Sequence, residues 1–191
     1  MKPEIQILNG SVLRDRDLQS IAGTAGEIFG GSVVVVRSNL DLRRAFDPSR
    51  NQTNSTALLA QVLGGSGSVT AKRIAVVDVD LFIPVLTFVF GEAQLGGTAA
   101  IVSTHRLNNR FYGLPHDSEL MIGRLAKEIV HELGHNFGLY HCHQFECVMR
   151  SSTYVGEIDM KRVQPCPSCA ETISNNLRRP EAELQQRRGA L

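Results

Sequence analysis

Apolar residues fall in short blocks along the first half of the chain, and their spacing alternates between strand-like and helical. Glu4 to Leu8 reads as a strand, and Asp15 to Phe29 takes helical spacing before stopping at Gly30-Gly31. Ser32 to Arg37 holds four consecutive valines, as expected of a strand covered on both faces. Strand, crossover helix and strand make a βαβ unit. Asp41 to Asn54, with Pro48 and several Asn and Ser residues, reads as loop. Ser55 to Leu63 is helical and ends at Gly64-Gly65-Ser66-Gly67, a flexible turn without the lysine and Ser/Thr pair of a phosphate loop. Arg73 to Asp78 is a third buried strand. Two extended runs, Thr87 to Glu92 and Thr98 to Ser103, meet across Gly96-Gly97, which predicts an antiparallel hairpin. A strand so reversed, if it lies at the sheet edge, offers an extended peptide a place to pair.

A longer helix is expected after Pro115, capped by Asp117 or Ser118, with Ile122, Leu125, Ala126, Ile129, Leu133 and Phe137 on one side. His131 and His135 fall roughly opposite this stripe, so the helix can pack on the sheet while its histidines face a cleft. The pattern therefore predicts one α/β (α+β) domain over 1–191, a mostly parallel twisted sheet with one antiparallel edge strand.

Composition narrows the function classes. The 191 residues include 20 basic and 19 acidic ones, a formal charge of +1, so no global field points to nucleic acid or an acidic membrane. Arg178-Arg179 and Arg187-Arg188 sit in a polar tail and read as solvated surface. The first residues carry no apolar run of secretory length, and the longest apolar run, Leu81 to Phe90, falls short of the ~20 residues of a membrane span. The expectation is a cytoplasmic monomer with no membrane partner. All four cysteines lie between Cys142 and Cys169, which in that compartment favours a metal over disulfides.

The chemistry is concentrated in His131-Glu132-Leu133-Gly134-His135-Asn136-Phe137-Gly138-Leu139-Tyr140-His141. Residues four apart share a helix face, so His131 and His135 can aim at one ion. Gly138 tolerates the left-handed turn that ends a helix, which lets His141 return as a third ligand. Three ligands leave one position for water, and Glu132 is placed to take its proton. A buried helix with histidines at this spacing by chance does not account for Gly138 and His141. Cys142-x4-Cys147 and Cys166-x-x-Cys169 fit a closed, structural zinc site with four thiolates. Met149 lies just downstream of the third histidine, where a methionine-containing turn would underlie the metal. Asp78 and Asp80 fit strand-end caps better than ligands.

The run His131-Glu132-x-x-His135-x-x-Gly138-x-x-His141 followed by a methionine turn resembles the metzincin metallopeptidases. Cys142-x4-Cys147-x-Met149 and Cys166-x-x-Cys169, with Asp78-Val79-Asp80-Leu81-Phe82 and Phe88-Val89-Phe90-Gly91-Glu92, are similar to the archaemetzincin branch. The resemblance spans about residues 41 to 170. It implies a metzincin-like domain with an N-terminal subdomain (1–138) and a C-terminal one (139–191) that carries the Met-turn and the four-cysteine zinc site. It also implies two zincs per chain. His131, His135 and His141 would bind the catalytic one, with Glu132 as general base, and Cys142, Cys147, Cys166 and Cys169 the structural one. By the same resemblance Gly138 and Met149 would support the site, and the partner would be a peptide or protein substrate. The Met149 to Cys166 gap is about one residue shorter than the family pattern. Tyr154, His105 and His116 are candidates for a second oxyanion donor, each fitting a structural role better than a catalytic one.

Two rivals stand beside this. The histidine spacing is also similar to bacterial rRNA-maturation endoribonucleases, against which Glu132 and the near-neutral charge argue. The other rival is a zinc-stabilised binding module with little hydrolytic activity.

Overall fold

The chain runs β1 (Glu4–Asn9), α1 (Asp15–Phe29), β2 (Ser32–Arg37), β3 (Phe46–Asp47), β4 (Gln52–Asn54), α2 (Ser55–Gly64) and β5 (Lys72–Val77). It continues through β6 (Leu81–Phe82), β7 (Gly91–Ala93), β8 (Ala99–Ser103), α3 (Ser118–Asn136), α4 (Val155–Asp159) and α5 (Pro167–Arg178). This computed structural model describes residues 2–65 and 70–178. Ser66-Gly67 of the expected glycine turn, and the tail arginines Arg179, Arg187 and Arg188, lie outside the described residues.

Five strands form one sheet in the order β2-β1-β5-β8-β7, parallel except for β7, which pairs antiparallel with β8 at the edge. The alternation of side chains divides the core in two. Ile74 and Val76 of β5 point into a cluster with Ile5, Ile7, α1 and α3. Ala75 and Val77 point the other way, against Leu58, Leu59 and Val62 of α2. The sheet is thus sandwiched between helices, and among the described residues no helix is long and apolar enough to cross a membrane.

Two expectations are corrected. The valine run of β2 is covered on one face only: Val33 and Val35 pack on the core, while Val34 and Val36 are 44% and 41% exposed. The reason is that α2 packs chiefly on β8, β7 and β5, at the other end of the sheet from β2. Residues 41–54 are also more than loop. A 3-10 turn at Leu42–Ala45 leads into β3 and β4, which join β6 in a second sheet. Strands of two or three residues are too short to show a period.

Beyond Gly138 the chain wraps back on α3. Arg124 holds Asp159 through two bonds of 2.7 Å, and the Lys127 ammonium donates to the carbonyls of Ile158 and Asp159. α5 begins at Pro167, whose missing N–H costs nothing at the first helical position.

Candidate metal centre

α3 positions most of the site. The Asp117 side chain accepts the N–H of Leu120 at 2.9 Å and caps the helix. Met121, Leu125, Ile129 and Leu133 are buried in the core, and Phe137 at the helix end stacks on Phe29 with ring centroids 4.6 Å apart. The Asn136 amide donates to the carbonyls of Gln94 and Ala99, both at 2.9 Å, and Gly96 N–H donates to His135 O at 2.7 Å. The β7–β8 hairpin is therefore fastened to the end of α3. Between them lies a cleft of about 600 Å³, lined on one side by residues 86–93 and on the other by Glu128, His131, Glu132 and His135.

The three histidines converge. His131 Nδ1 bonds Val148 O at 2.8 Å and His135 Nδ1 bonds Leu139 O at 2.8 Å. A carbonyl only accepts, so each Nδ1 carries the ring proton and each Nε2 keeps its lone pair. Those two Nε2 atoms are 3.2 Å apart. Two lone pairs facing each other are not a hydrogen bond; they ask for a shared cation. Tetrahedral bonds of about 2.0–2.1 Å to zinc give an N···N edge of about 3.3–3.4 Å, close to what is seen. His141 completes the set, with donor atoms of all three within 4.8 Å of one another. Burial holds all three imidazoles below their ordinary pKa, most strongly His131, where the Lys161 charge adds to the effect. They are thereby kept neutral and able to ligate.

Gly138, at φ +87°, ends the helix in the left-handed region, and Leu139 N–H returns to Gly134 O. That turn aims Leu139 O at His135 and sends His141 back over the helix. A side chain at Gly138 would also press on the Asn176 amide, which donates to Phe137 O at 2.8 Å.

The four cysteines form a second cluster, also with donor atoms within 4.8 Å of one another. Sγ separations are 3.8 Å for Cys142–Cys166 and 3.8 Å for Cys147–Cys169, far beyond a disulfide bond. Zn–S bonds of about 2.3 Å give tetrahedral edges of about 3.8 Å, so the donor set fits a thiolate-bound zinc. Burial pushes the Cys147 and Cys169 thiols up, a cost that a cation at the centre would offset.

Three consecutive residues tie the clusters together. Cys147 belongs to the thiol set, Val148 O holds His131, and Met149 O accepts the N–H of Cys142, next to His141, at 2.9 Å. The Met149 thioether lies directly under Gly134 of α3, where a Cβ would overlap the sulfur.

Glu132 is 5% exposed and faces β7. Burial, then the neighbouring Glu128 and Glu92 carboxylates, hold its carboxyl well above the usual range. A Cβ at Gly91 would stand 2.6 Å from Glu132 Oε1 and 2.7 Å from Ile101 O, so only glycine lets the strand pass so close to this carboxylate.

The other candidates lie elsewhere. Asp80 is gripped by Arg106 at 2.6 and 2.8 Å, and Asp78 accepts from Val12 N–H; neither meets the histidines. His105 packs against Phe111 and His116 bonds Asn108. Tyr154 is half exposed and lies outside the cleft lining, whereas Tyr140, at the rim, was not anticipated. Glu92, Glu128 and Ser152 also reach the cleft without having been foreseen. For Glu128 a signal existed, since it sits one turn before His131 and Glu132 on the same face.

Residues 33–175 match the sequence profile of Peptidase family M54. The chain is 34% identical over 163 residues to the archaemetzincin of Methanocaldococcus jannaschii, covering 85% of this chain and 88% of that one. It is 35% identical over 173 residues to the archaemetzincin of Archaeoglobus fulgidus, covering 91% and 99%. The crystal structure of the Methanopyrus kandleri archaemetzincin is similar with a TM-score of 0.83 at 32% identity, over 93% of this chain and 97% of that one.

Proposed function

The chain belongs to peptidase family M54, the archaemetzincins, and is a zinc metallopeptidase; from that premise we propose that His131, His135 and His141 hold its catalytic zinc and Glu132 is its general base. The observation that carries this is the pair of Nε2 lone pairs 3.2 Å apart, with both ring protons committed to carbonyls. A zinc ion held there supplies Lewis acidity, bringing the pKa of a coordinated water toward about 7 and polarising the scissile carbonyl.

The chain's own groups do the rest. Strand β7 is the sheet edge and borders the cleft, so an extended peptide can pair along it with its scissile bond facing the histidines. Glu132, raised in basicity by its surroundings, takes a proton from the attacking water and gives it to the leaving amine. Burial behind β7 keeps bulk water from competing for that proton. Cys142, Cys147, Cys166 and Cys169 hold a second, structural zinc, and Gly138 and Met149 fix the third histidine and the base of the site. The boundary at Gly138 separates an N-terminal subdomain from a C-terminal lobe, and both contribute residues to the cleft lining. Unpaired thiols suit a reducing, cytoplasmic setting, and one chain supplies every ligand, as a monomer requires.

Metal analysis of the purified chain should find two zincs, and hydrolysis of a peptide library should stop on chelation and resume with added zinc. One zinc or none, or hydrolysis indifferent to chelator, would overturn the reading. Gly91→Ala should keep both zincs but lower kcat/KM about 100-fold, because a shift of about 1 Å in Glu132 misplaces the proton acceptor. Steady-state kinetics beside a zinc count will show it, and wild-type turnover in this variant would remove β7 from the account.

A further inference from the structure

The cleft lining includes polar residues that peptide hydrolysis as described leaves unused. Glu128 and Ser152 are among them. Glu128 Oε1 and Ser152 Oγ are buried without a hydrogen-bond partner, as is Lys161 Nζ behind them. Lys161 Nζ stands 3.6 Å from Glu128 Oε1, with side chains only 1% and 4% exposed. Buried orphans of this kind are costly, and a cleft lined by two residues that each carry one offers a partner something to satisfy.

The chemistry of that partner follows from the charges. A carboxylate would face Glu92, Glu128 and Glu132 together. A cation would compete with Lys161, already against Glu128, and with the zinc assigned above. A neutral carboxamide meets neither obstacle: its NH2 donates to Glu128 Oε1 while its carbonyl accepts from the Ser152 hydroxyl, satisfying both orphans. Reach decides the length. Glu128 lies one helical turn from Glu132, about 6 Å along the axis, too far for the short side chains of Ser, Thr or Asn beside the scissile bond. We propose that Glu128 and Ser152, backed by Lys161, form a specificity subsite that takes a glutamine-type carboxamide side chain flanking the scissile bond. This rests on the peptidase reading and names the substrate class of the same cleft.

Four peptide sets, identical except for Gln, Met, Lys or Glu at either position flanking the scissile bond, test it in two ways. Cleavage by the zinc-loaded chain gives kcat/KM, and anisotropy of labelled peptides on the zinc-loaded Glu132→Gln chain gives Kd without turnover. At one of the two positions Gln should be preferred over Met and Lys by about tenfold in both measurements, since a site of buried polar groups discriminates against ligands that leave them unpaired. Ser152→Ala should cut that preference to about threefold. Glu128→Met with Lys161→Met removes the pair without stranding a buried charge and should bring the ratio to about one. Equal or better use of Met, Lys or Glu at both positions overturns the subsite while leaving the peptidase reading intact. A Gln preference that survives Ser152→Ala undiminished also overturns it, whether or not the double variant folds. Cleavage of no peptide by the zinc-loaded chain overturns both.

Discussion

Glu132→Gln should keep its zinc and lose turnover, with kcat/KM falling by about 10²–10⁴-fold, the span usual for removing a positioned general base. Gln preserves the shape and removes only the ability to take a proton. The pocket itself predicts a second, less obvious outcome. Glu132 is nearly buried, and its charged form is opposed by burial and by the carboxylates of Glu128 and Glu92. A neutral amide escapes that opposition, so with zinc removed from both proteins, and its favourable charge with it, the variant should melt no lower than the natural chain. Loss of activity without loss of stability is the signature of a group held against its own preference for the sake of chemistry. Glu132→Asp separates basicity from placement: it retains a carboxylate but withdraws it by one methylene from the position that Gly91 defines, and should also lose most turnover. Kinetics, zinc analysis and thermal melts on the three proteins decide the matter. Undiminished hydrolysis by the Gln variant would end the general-base assignment.

The convergence of the three histidines was legible in the sequence because it is local. His131 and His135 need only a helix to meet, and the helix is announced by its cap at Asp117 and its apolar stripe. Gly138 marks where the helix must end, and its φ of +87° is what the return of His141 requires. The cysteine spacing likewise needs only a turn and the first turn of α5. What the sequence did not disclose depends on which surfaces the fold brings together. Glu128 shares the histidines' helix face, which the sequence shows, but that Lys161 is buried against it depends on the chain after α4 folding back on α3. Ser152 reaches the cleft only because the segment after Met149 runs beside it. The valines of β2 suggested cover on two faces, yet their number says nothing of where α2 will sit. Tyr154, His105 and His116 had the right chemistry for an oxyanion donor, but nothing in their local pattern could tell that the chain would carry them elsewhere.

Cys147→Ser should disturb both metal sites, and its effect on folding should be among the largest of any single substitution. A serine hydroxyl is a poor zinc ligand at neutral pH, so the four-thiolate set drops to three. Structural zinc contributes on the order of 10–16 kcal/mol of apparent binding free energy in small domains, against total stabilities of about 5–15 kcal/mol, so even partial loss threatens the C-terminal lobe. The damage should then travel two residues. Val148 O fixes the tautomer and orientation of His131, and Met149 both underlies Gly134 and holds Cys142 beside His141. Losing such support for a ligating histidine commonly costs about 10–100-fold in metal affinity, and that is the expected fall at the catalytic site. Cys169→Ser is the control that assigns the cause. It removes a ligand from α5, far along the chain from Val148, so an equal loss of catalytic-site affinity means the second zinc itself is the frame. Loss confined to Cys147→Ser means the loop alone matters. Competitive zinc titration on both variants reads the two sites, and a chain that loses its structural zinc with catalytic-site affinity unchanged would show the two metals to be independent.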